Sequence, residues 1–330
     1  MPVIRSKFLL LIFLLLISFG VNVSLGSVIF PLSVWHDIFS GNEVSQAYDG
    51  ILSFRLLKAL AAILVGGGLA LSGLLLQTMF RNPIVGPYVL GLSSGAGLGV
   101  AVLLLGGSVF GWQLFSEFST GMAAAFGSML VLLLLMGLYY KFSQPVNLLI
   151  AGLMLGFFAS AFINILSYFT RAEALQRFVF WNMGSLGNQS TGALWVSFTV
   201  LFFSAGISYY FFKELDLLLL GDEYALSMGV SVKHLHLIIV LITGILAGTL
   251  TALFGPIGFV GLAVPHLSRS FFNTQLHQIL IPADILIGAI ILLICDTIAQ
   301  VPGSVISLPI NSVTALFGAP LVVYMLFKNK

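Results

Sequence analysis

The sequence contains very little charge and a single cysteine. Asp, Glu, Lys and Arg make up only 7% of its 330 residues, and the formal net charge is +2. So small a net charge gives no extended field of one sign, which argues against nucleic acid as a partner. The one thiol, Cys295, lies inside an apolar run. Disulfide bonds within the chain and a multi-cysteine metal site are therefore excluded, and no metal site is expected.

The sequence also lacks the short motifs of nucleotide hydrolysis and of metal-dependent catalysis. It contains no Gly-Lys dipeptide, so the phosphate-binding loop G-x-x-x-x-G-K-[ST] is absent. It contains no H-E-x-x-H either. The five histidines are expected to be interfacial or loop residues: His36, His234, His236, His266 and His277. The chain is therefore predicted not to be an enzyme and to bind no cofactor itself.

Apolar residues are abundant along the whole chain. Hydrophobic residues make up 59% of it, and the mean hydropathy is +1.12. Windows of about 20 apolar residues predict about ten spans: Phe8 to Phe30, Leu56 to Phe80, Val89 to Phe110, Phe118 to Tyr140, Val146 to Phe169, Leu194 to Phe212, Leu235 to Phe254, Gly258 to Ser268, Ile281 to Ile298 and Ile310 to Phe327. The expected fold is an all-α polytopic membrane protein with a single transmembrane domain over residues 1–330.

The placement of Lys and Arg predicts the orientation. Arg5 and Lys7 precede the first apolar run as in a signal peptide, but the run has no Ala-x-Ala cleavage site, so a retained first span is expected. With the N-terminus inside, nine of the 13 basic residues fall in inner segments. The outer four are Arg55, Lys58, Arg171 and Arg177. The positive-inside rule then places both termini in the cytoplasm.

The most charged stretch, Lys213 to His236, falls inside the cell between the sixth and seventh spans. Asp222 and Glu223 can cap a short helix and fill its first turn, and Gly229 can end it. Nearby, Glu214 and Asp216 are expected to be surface charges. One interpretation is an ordinary solvated loop that rests on lipid headgroups. The other is a contact surface for a partner.

An ion-coupled secondary transporter is the main alternative class. Such a protein usually needs ionisable groups within its spans, because a buried charge is costly and is kept for function. Within its spans this chain offers Asp284 and Asp296, and neither has an evident buried partner in the sequence. An intramembrane enzyme is a third class, but no plausible catalytic pair is present.

Several motifs in order resemble one known family. They are "GLALSGLLLQTMFRNPIVGPYVLGLSSGAGLG", "WNMGSL", "GDEYALSMGV", "GPIGFVGLAVPHLSR" and "TALFGAP". Together they resemble the FecCD-like permeases, the membrane subunits of ABC importers for iron siderophores, haem and cobalamin. The resemblance extends from about Arg55 to Phe327. It implies the type II ABC importer permease fold in the inner membrane, and transport by alternating access.

The resemblance assigns a role to the charged stretch. In such importers the loop between spans six and seven forms coupling helices that sit in a cleft of a cytoplasmic ATPase subunit. Coupling helices are therefore expected at about residues 213–236. The expected contact residues are Gly221, Asp222, Glu223, Tyr224, Ala225, Leu226, Met228 and Gly229. ATP and Mg²⁺ are then expected on two separate ATPase chains.

The resemblance also implies an external binding protein, a second copy of this chain and a path between the two copies. Arg55 and Lys58 resemble family cations that pair with acidic residues of the binding protein, although simple snorkelling at the membrane surface is the alternative. Small faces on spans five and ten are expected to line the path: Gly152, Gly156, Ser160 and Asn164, with Asn311, Ala315 and Ala319. The similar face of span two, Gly66, Ala70, Gly73 and Gln77, is expected to serve helix packing.

Overall fold

The computed structural model describes residues 2–26, 40, 46–111, 117–142, 144–187, 190–304 and 306–328. Within these ranges the chain forms thirteen α-helices, one of which contains a π-helical stretch at Val102–Gly106, together with a short 3-10 helix at Pro87–Leu90 and no strand, which confirms the all-α prediction. The helices are α1 (Pro2–Ser24), α2 (Gln46–Phe80), α3 (Leu92–Phe110), α4 (Glu117–Phe142), α5 (Pro145–Phe169), α6 (Ala172–Asn182), α7 (Thr191–Tyr210), α8 (Phe212–Leu219), α9 (Asp222–Ser227), α10 (Val232–Phe254), α11 (Val260–Phe272), α12 (His277–Ala299) and α13 (Ile310–Lys328).

Eight of these helices are long and apolar enough to cross a membrane: α1, α2, α3, α4, α5, α7, α10 and α12. The other two predicted spans coincide with α11 and α13. Helix α11 has only 13 residues, which is too short to cross a bilayer alone. The prediction of about ten membrane helices is thus consistent with the structure, and the chain is a multi-pass membrane protein.

The first span differs from its prediction. The sequence window was Phe8 to Phe30, whereas helix α1 ends at Ser24, and residues 27–30 lie outside the described part of the chain. The reason lies in a side chain from α2. The Nη1 of Arg55 donates to the carbonyl oxygens of Val23 and Ser24 at 3.1 and 3.3 Å. These bonds satisfy carbonyls that the end of a helix leaves without partners.

Helix α2 packs closely in the centre of the bundle. A Cβ added to Gly66 would lie 2.2 Å from the carbonyl oxygen of Gly288 on α12. A Cβ added to Gly73 would lie 1.6 Å from that of Gly261 on α11. Only glycine permits such approach, and Ala70 lies against Gly288 in the same interface. The prediction that this face of α2 serves helix packing is confirmed.

Two ends of the bundle can be defined from α2. Arg55 lies near the start of α2 and Arg81 just after its end, so the two residues mark opposite ends, here called the Arg55 end and the Arg81 end. At the Arg81 end the chain turns after α2, where Asn82 Oδ1 accepts from the backbone N–H of Ile84 at 3.0 Å. Helices α8 and α9 lie at the same end, since Asp222 contacts Arg81.

The outward faces of several helices are apolar. Phe13 on α1, Phe126 on α4, Phe157 on α5 and Phe202 on α7 are all more than half exposed in the single chain. A soluble protein does not expose so much contiguous apolar surface. These faces suit lipid or a second copy of the chain.

Candidate functional site

The candidate coupling surface is formed by α9 at the Arg81 end. Helix α9 begins after Gly221, whose φ of 120° is available to glycine, and the chain turns away at Gly229, with φ of 85°. Tyr224, Leu226 and Met228 are 48%, 57% and 58% exposed. The short helix and the residue that follows it, Met228, therefore present three large apolar side chains away from the bundle.

Ala225 requires a correction. The sequence prediction placed it among the contact residues, but the structure buries it completely within the core that includes Leu215 and Leu218 of α8. Successive helix residues point about 100° apart, so one side of a short surface helix must rest on the bundle. Ala225 is the residue on which α9 rests, and it is not part of the exposed surface.

The two acidic residues of α9 differ in their surroundings. Asp222 was predicted to cap the helix, but the capping position belongs to Gly221, and Asp222 lies in the first turn. Its Oδ1 lies 3.3 Å from Nη2 of Arg81, and both side chains are partly exposed. Negative charge in the first turn favours the helix dipole. Glu223 is exposed and available to a partner.

Behind α9, the preceding helix α8 is tied into the bundle by Asp216. Its Oδ1 accepts from the backbone N–H of His277 at 2.8 Å and from His277 Nδ1 at 2.6 Å. The Nε2 of the same imidazole lies 2.7 Å from Oγ1 of Thr78 on α2. Asp216 is therefore not the simple surface charge that the sequence predicted, and three helices meet at His277.

The histidine predictions also need correction. His236 and His277 were expected at interfaces or in loops, but both are fully buried. His236 Nδ1 lies 2.8 Å from the hydroxyl of Tyr139 on α4. Each ring is kept inside because a neighbouring helix supplies a hydrogen-bond partner. His36 lies outside the described residues.

At the Arg55 end the two predicted docking cations point into the bundle. Lys58 Nζ lies 3.0 Å from Oδ1 of Asp296 on α12, and the two side chains are 16% and 2% exposed. The other carboxylate oxygen, Oδ2, accepts from Asn22 on α1 at 3.0 Å and from Gln300 at 2.8 Å. Asp296 thus has the buried partner that the sequence did not reveal, and Lys58 is not a free surface cation in this conformation.

A pocket opens beside this ion pair. It has a volume of about 360 Å³. Its lining residues are Gly50, Ile51, Phe54, Arg55, Lys58, Gln300, Ser304, Ile306 and Ser307. Arg55 is buried and donates to the end of α1. The pair that was predicted to dock an acidic partner therefore holds α1, α2 and α12 together, because counter-charge and carbonyl acceptors are supplied from within the chain.

The predicted path residues of α5 fall in two groups. Gly152 is buried, and a Cβ there would lie 2.7 Å from the carbonyl oxygen of Val89. Gly156 is half-buried beside Ser94. Ser160 and Asn164 are exposed in the single chain. The small face of α5 therefore begins as a packing contact and continues as an open polar stripe, and only the second part is available to line a path.

On α13, Asn311 Oδ1 accepts from the backbone N–H of Gly258 at 2.9 Å. This bond holds the loop between α10 and α11, where Phe259 has a φ of 66°. Ala315 and Ala319 are partly exposed. Asn311 thus has a structural task that its spacing did not indicate, while the two alanines keep the surface of α13 small.

A second buried polar group sits between α2, α11 and α12. Arg269 Nη1 donates to Oε1 of Gln77 at 2.5 Å, and Gln77 Nε2 donates to the carbonyl oxygen of Leu262 at 3.1 Å. Asp284 lies near Arg269 and is fully buried. Ser268 is also close, but its hydroxyl donates to Val264. Among the described residues neither carboxyl oxygen of Asp284 finds a hydrogen-bond partner.

Comparison with known proteins agrees with this architecture. A sequence profile described as the FecCD transport family matches residues 10–328. The vitamin B12 import system permease protein BtuC of Klebsiella pneumoniae is 36% identical over 282 residues, which cover 85% of this chain and 83% of the relative. The protein of the same name from Citrobacter koseri is 35% identical over 282 residues, with the same coverage of 85% and 83%.

Solved structures give the same result for the fold. A structure described as an inward-facing conformation of a metal-chelate type ABC transporter has a TM-score of 0.83 and 31% identity, covering 98% of this chain and 99% of that one. PsaBC from Streptococcus pneumoniae in complex with Fab has a TM-score of 0.53 at 14% identity, covering 82% of this chain and 90% of that one, and supports the fold alone.

Proposed function

Because the chain belongs to the FecCD transport family, we propose that it is the permease subunit of an ATP-driven importer in the inner membrane. Two copies of the chain form the path, two ATPase chains bind at the Arg81 end, and a substrate-binding protein delivers cargo at the Arg55 end. The termini and the Arg81 end then face the cytoplasm. The chain itself hydrolyses no ATP, and ATP and Mg²⁺ bind the partner chains.

The surface of α9 is the observation that carries this proposal. Two exposed apolar side chains on this six-residue helix, Tyr224 and Leu226, and a third just after its end, Met228, form an apolar surface that a partner would cover. Ala225 fixes the helix on the bundle, where it packs in the core with Leu215 and Leu218 of α8. An exposed hydrophobic anchor on a rigid support is the kind of contact that concentrates binding energy at an interface.

We further propose that the cargo is a large metal chelate of the cobalamin, haem or siderophore class. Two similar relatives are named as vitamin B12 importers, and a similar solved structure is described as a metal-chelate type transporter. The path of the dimer is lined by Ser160 and Asn164 of α5 and by Ala315 and Ala319 of α13. Small uncharged side chains leave room for a bulky cargo and select by size and shape.

Transport follows from the position of α9. Closure of the ATPase dimer on ATP moves α9, and the attached helices tilt so that the path opens on one side at a time. No covalent bond forms in this step. Identifying the ligand that co-purifies with the partner binding protein would establish which chelate is carried.

Replacement of Leu226 by Asp tests the coupling surface. The variant should co-purify with about tenfold less ATPase or lower, since a charge replaces a central apolar contact. Leu226→Met keeps the apolar contact, and Glu214→Ala removes a charge outside it, so both should retain the ATPase. Full retention of the ATPase by Leu226→Asp would show that α9 is a solvated helix and that the motor does not dock there.

A further inference from the structure

The link from α8 to α12 is centred on one carboxylate. Oδ1 of Asp216 accepts two hydrogen bonds from His277, one from its backbone N–H at 2.8 Å and one from Nδ1 at 2.6 Å. The aspartate side chain is 25% exposed, whereas that of His277 is 1% exposed. A partly buried carboxylate with two short bonds to one residue is a far firmer contact than a solvated ion pair.

Asp216 also caps a helix to which it does not belong. His277 is the first residue of α12, and the preceding Leu276 has no side chain able to accept from the first free amides. The backbone N–H of His277 is therefore one of the donors that a helix start leaves unpaired. Asp216 supplies the acceptor from α8, and its negative charge lies at the positive end of the α12 dipole.

The imidazole carries the link further, to α2. Since Nδ1 faces the carboxylate, Nδ1 holds a proton, and Nε2 makes the bond to Thr78 Oγ1 at 2.7 Å. Thr78 is fully buried. Its Oγ1 also lies 2.9 Å from the carbonyl oxygen of Leu74, so the single hydroxyl proton is shared between the imidazole and the α2 backbone. One side chain thus joins α8 to the two helices that meet at Gly66 and Gly288.

The chain between this link and the candidate coupling surface is very short. Helix α8 ends at Leu219 and α9 begins at Asp222, so only Leu220 and Gly221 intervene. A second contact, between Arg81 and Asp222, also joins α9 to the end of α2. Both partners of that pair are exposed by about a third or more, and such pairs contribute little. The buried link at Asp216 is therefore the stronger mechanical connection.

We propose that Asp216 and His277 are the positioning residues that transmit the movement of α9 to α12 and α2. This inference rests on the proposed function, since it presumes that an ATPase moves α9. A loss of the link leaves the exposed surface of α9 intact. It therefore uncouples ATP hydrolysis from transport without releasing the ATPase, whereas a loss of the α9 surface releases the ATPase.

The test uses the full complex in proteoliposomes with its ATPase and binding protein. The quantity measured is cargo taken up per ATP hydrolysed, for the parent, Asp216→Ala, His277→Gln and the combination of the two. Each single variant should retain the ATPase within about twofold and lose about tenfold in uptake per ATP. The combined variant should lose no more than either single one, because all three break the same link. Glu214→Ala, on the same helix, is the matched control and should match the parent.

Asp216→Asn keeps the size of the side chain and an acceptor for the His277 amide but removes the charge. It should lie between the parent and Asp216→Ala, and it serves as the reporter if the alanine variant does not assemble. Unchanged uptake per ATP in Asp216→Asn and His277→Gln would overturn the inference, as would multiplicative losses in the combined variant. Failure of the parent itself to bind the ATPase would instead overturn the proposed function.

Discussion

At the scale of single residues, the buried charges decide how the helices are held. Lys58 and Asp296 form an ion pair that is nearly closed to solvent, with Asn22 and Gln300 satisfying the second carboxylate oxygen. Removing one member of a buried pair leaves an uncompensated charge, which costs much more than the pair contributes. Lys58 therefore contributes to the stability of the fold through its ion pair with Asp296.

Lys58→Met should lower the free energy of unfolding by about 3–5 kcal/mol, because it leaves the carboxylate of Asp296 buried and unpaired. Combining it with Asp296→Asn should restore most of the loss, since the amide still bonds its neighbours. Thermal unfolding of the purified protein in detergent measures both. If Lys58→Met alone is as stable as the parent, the ion pair does not stabilise the fold, and Lys58 is instead a surface cation available for docking.

Replacing the buried carboxyl of Asp284 is expected to raise the stability of the protein, unlike the loss of Lys58. Its carboxyl is fully buried, and neither oxygen has a hydrogen-bond partner among the described residues. An unsatisfied buried polar group costs about 1–3 kcal/mol. Asp284→Leu should therefore stabilise the protein by about that amount, while Asp296→Leu, at the paired aspartate, should destabilise it. If Asp284→Leu unfolds more easily, the carboxyl is stabilised by Arg269 and Ser268, which lie close to it.

The sequence could not reveal these pairings. Lys58 and Asp296 lie on different helices, and so do Asp216 and His277, which are 61 positions apart. Residue type and local spacing say nothing about which helices pack side by side. Composition did indicate that a charge within a span must have a partner or a function, and Asp296 now has its partner. The short helix that carries Tyr224 and Leu226 was predictable from the acidic residues of its first turn and from Gly229 after its end, although the residue at its cap is Gly221 and not Asp222.

At the scale of whole helices, glycine contacts set the distances. The α2 helix touches α11 and α12 through backbone atoms at Gly73 and Gly66. In apolar surroundings the hydrophobic effect does not drive helices together, so close packing of small residues must do so. Apolar windows predicted the helices well, because length and hydropathy suffice for that. They missed the end of α1, which is fixed by Arg55 from another helix.

Gly73→Ala should destabilise the protein strongly, because the new Cβ would lie 1.6 Å from the carbonyl oxygen of Gly261 and the helices must separate. Gly137→Ala on α4 is the matched control, since no atom lies within 4 Å of its added Cβ. The control should be neutral or gain about 0.5–1 kcal/mol from helix propensity. Thermal unfolding of the two variants and the parent measures the difference in stability. Equal stability would mean that α2 and α11 are less closely packed than described.

At the scale of the whole molecule, the ends of α2 define an axis with different chemistry at each end. The Arg81 end presents the apolar surface of α9, and the Arg55 end presents a pocket of about 360 Å³ beside a closed ion pair. Nine of the 13 basic residues lie in segments assigned to the inside, and four lie in segments assigned to the outside. By the positive-inside rule, the Arg81 end is proposed to face the cytoplasm. Membership of the FecCD transport family supports transport along this axis. The sequence motifs alone already indicated that family.

Reporter fusions or cysteine labelling at three positions near helix ends test the orientation. Positions at Lys141 and Asp222 should be accessible from the cytoplasm, and a position at Arg171 should be accessible from outside. Arg171 and Asp222 lie beyond the ends of α5 and α8, and Lys141 lies in the last turn of α4, so labelling should not disturb the spans. External labelling at Asp222 would contradict the proposed coupling of α9 to a cytoplasmic ATPase.

Uptake by the purified protein in proteoliposomes tests the central claim most directly. Cargo uptake is measured for the permease alone with an imposed proton or sodium gradient, and for the permease with its ATPase, binding protein and ATP. An ATP-driven importer permease transports only in the complete system, and Leu226→Asp abolishes that transport. Uptake by the permease alone under an ion gradient, without ATP, would contradict the account and identify the chain as a secondary transporter.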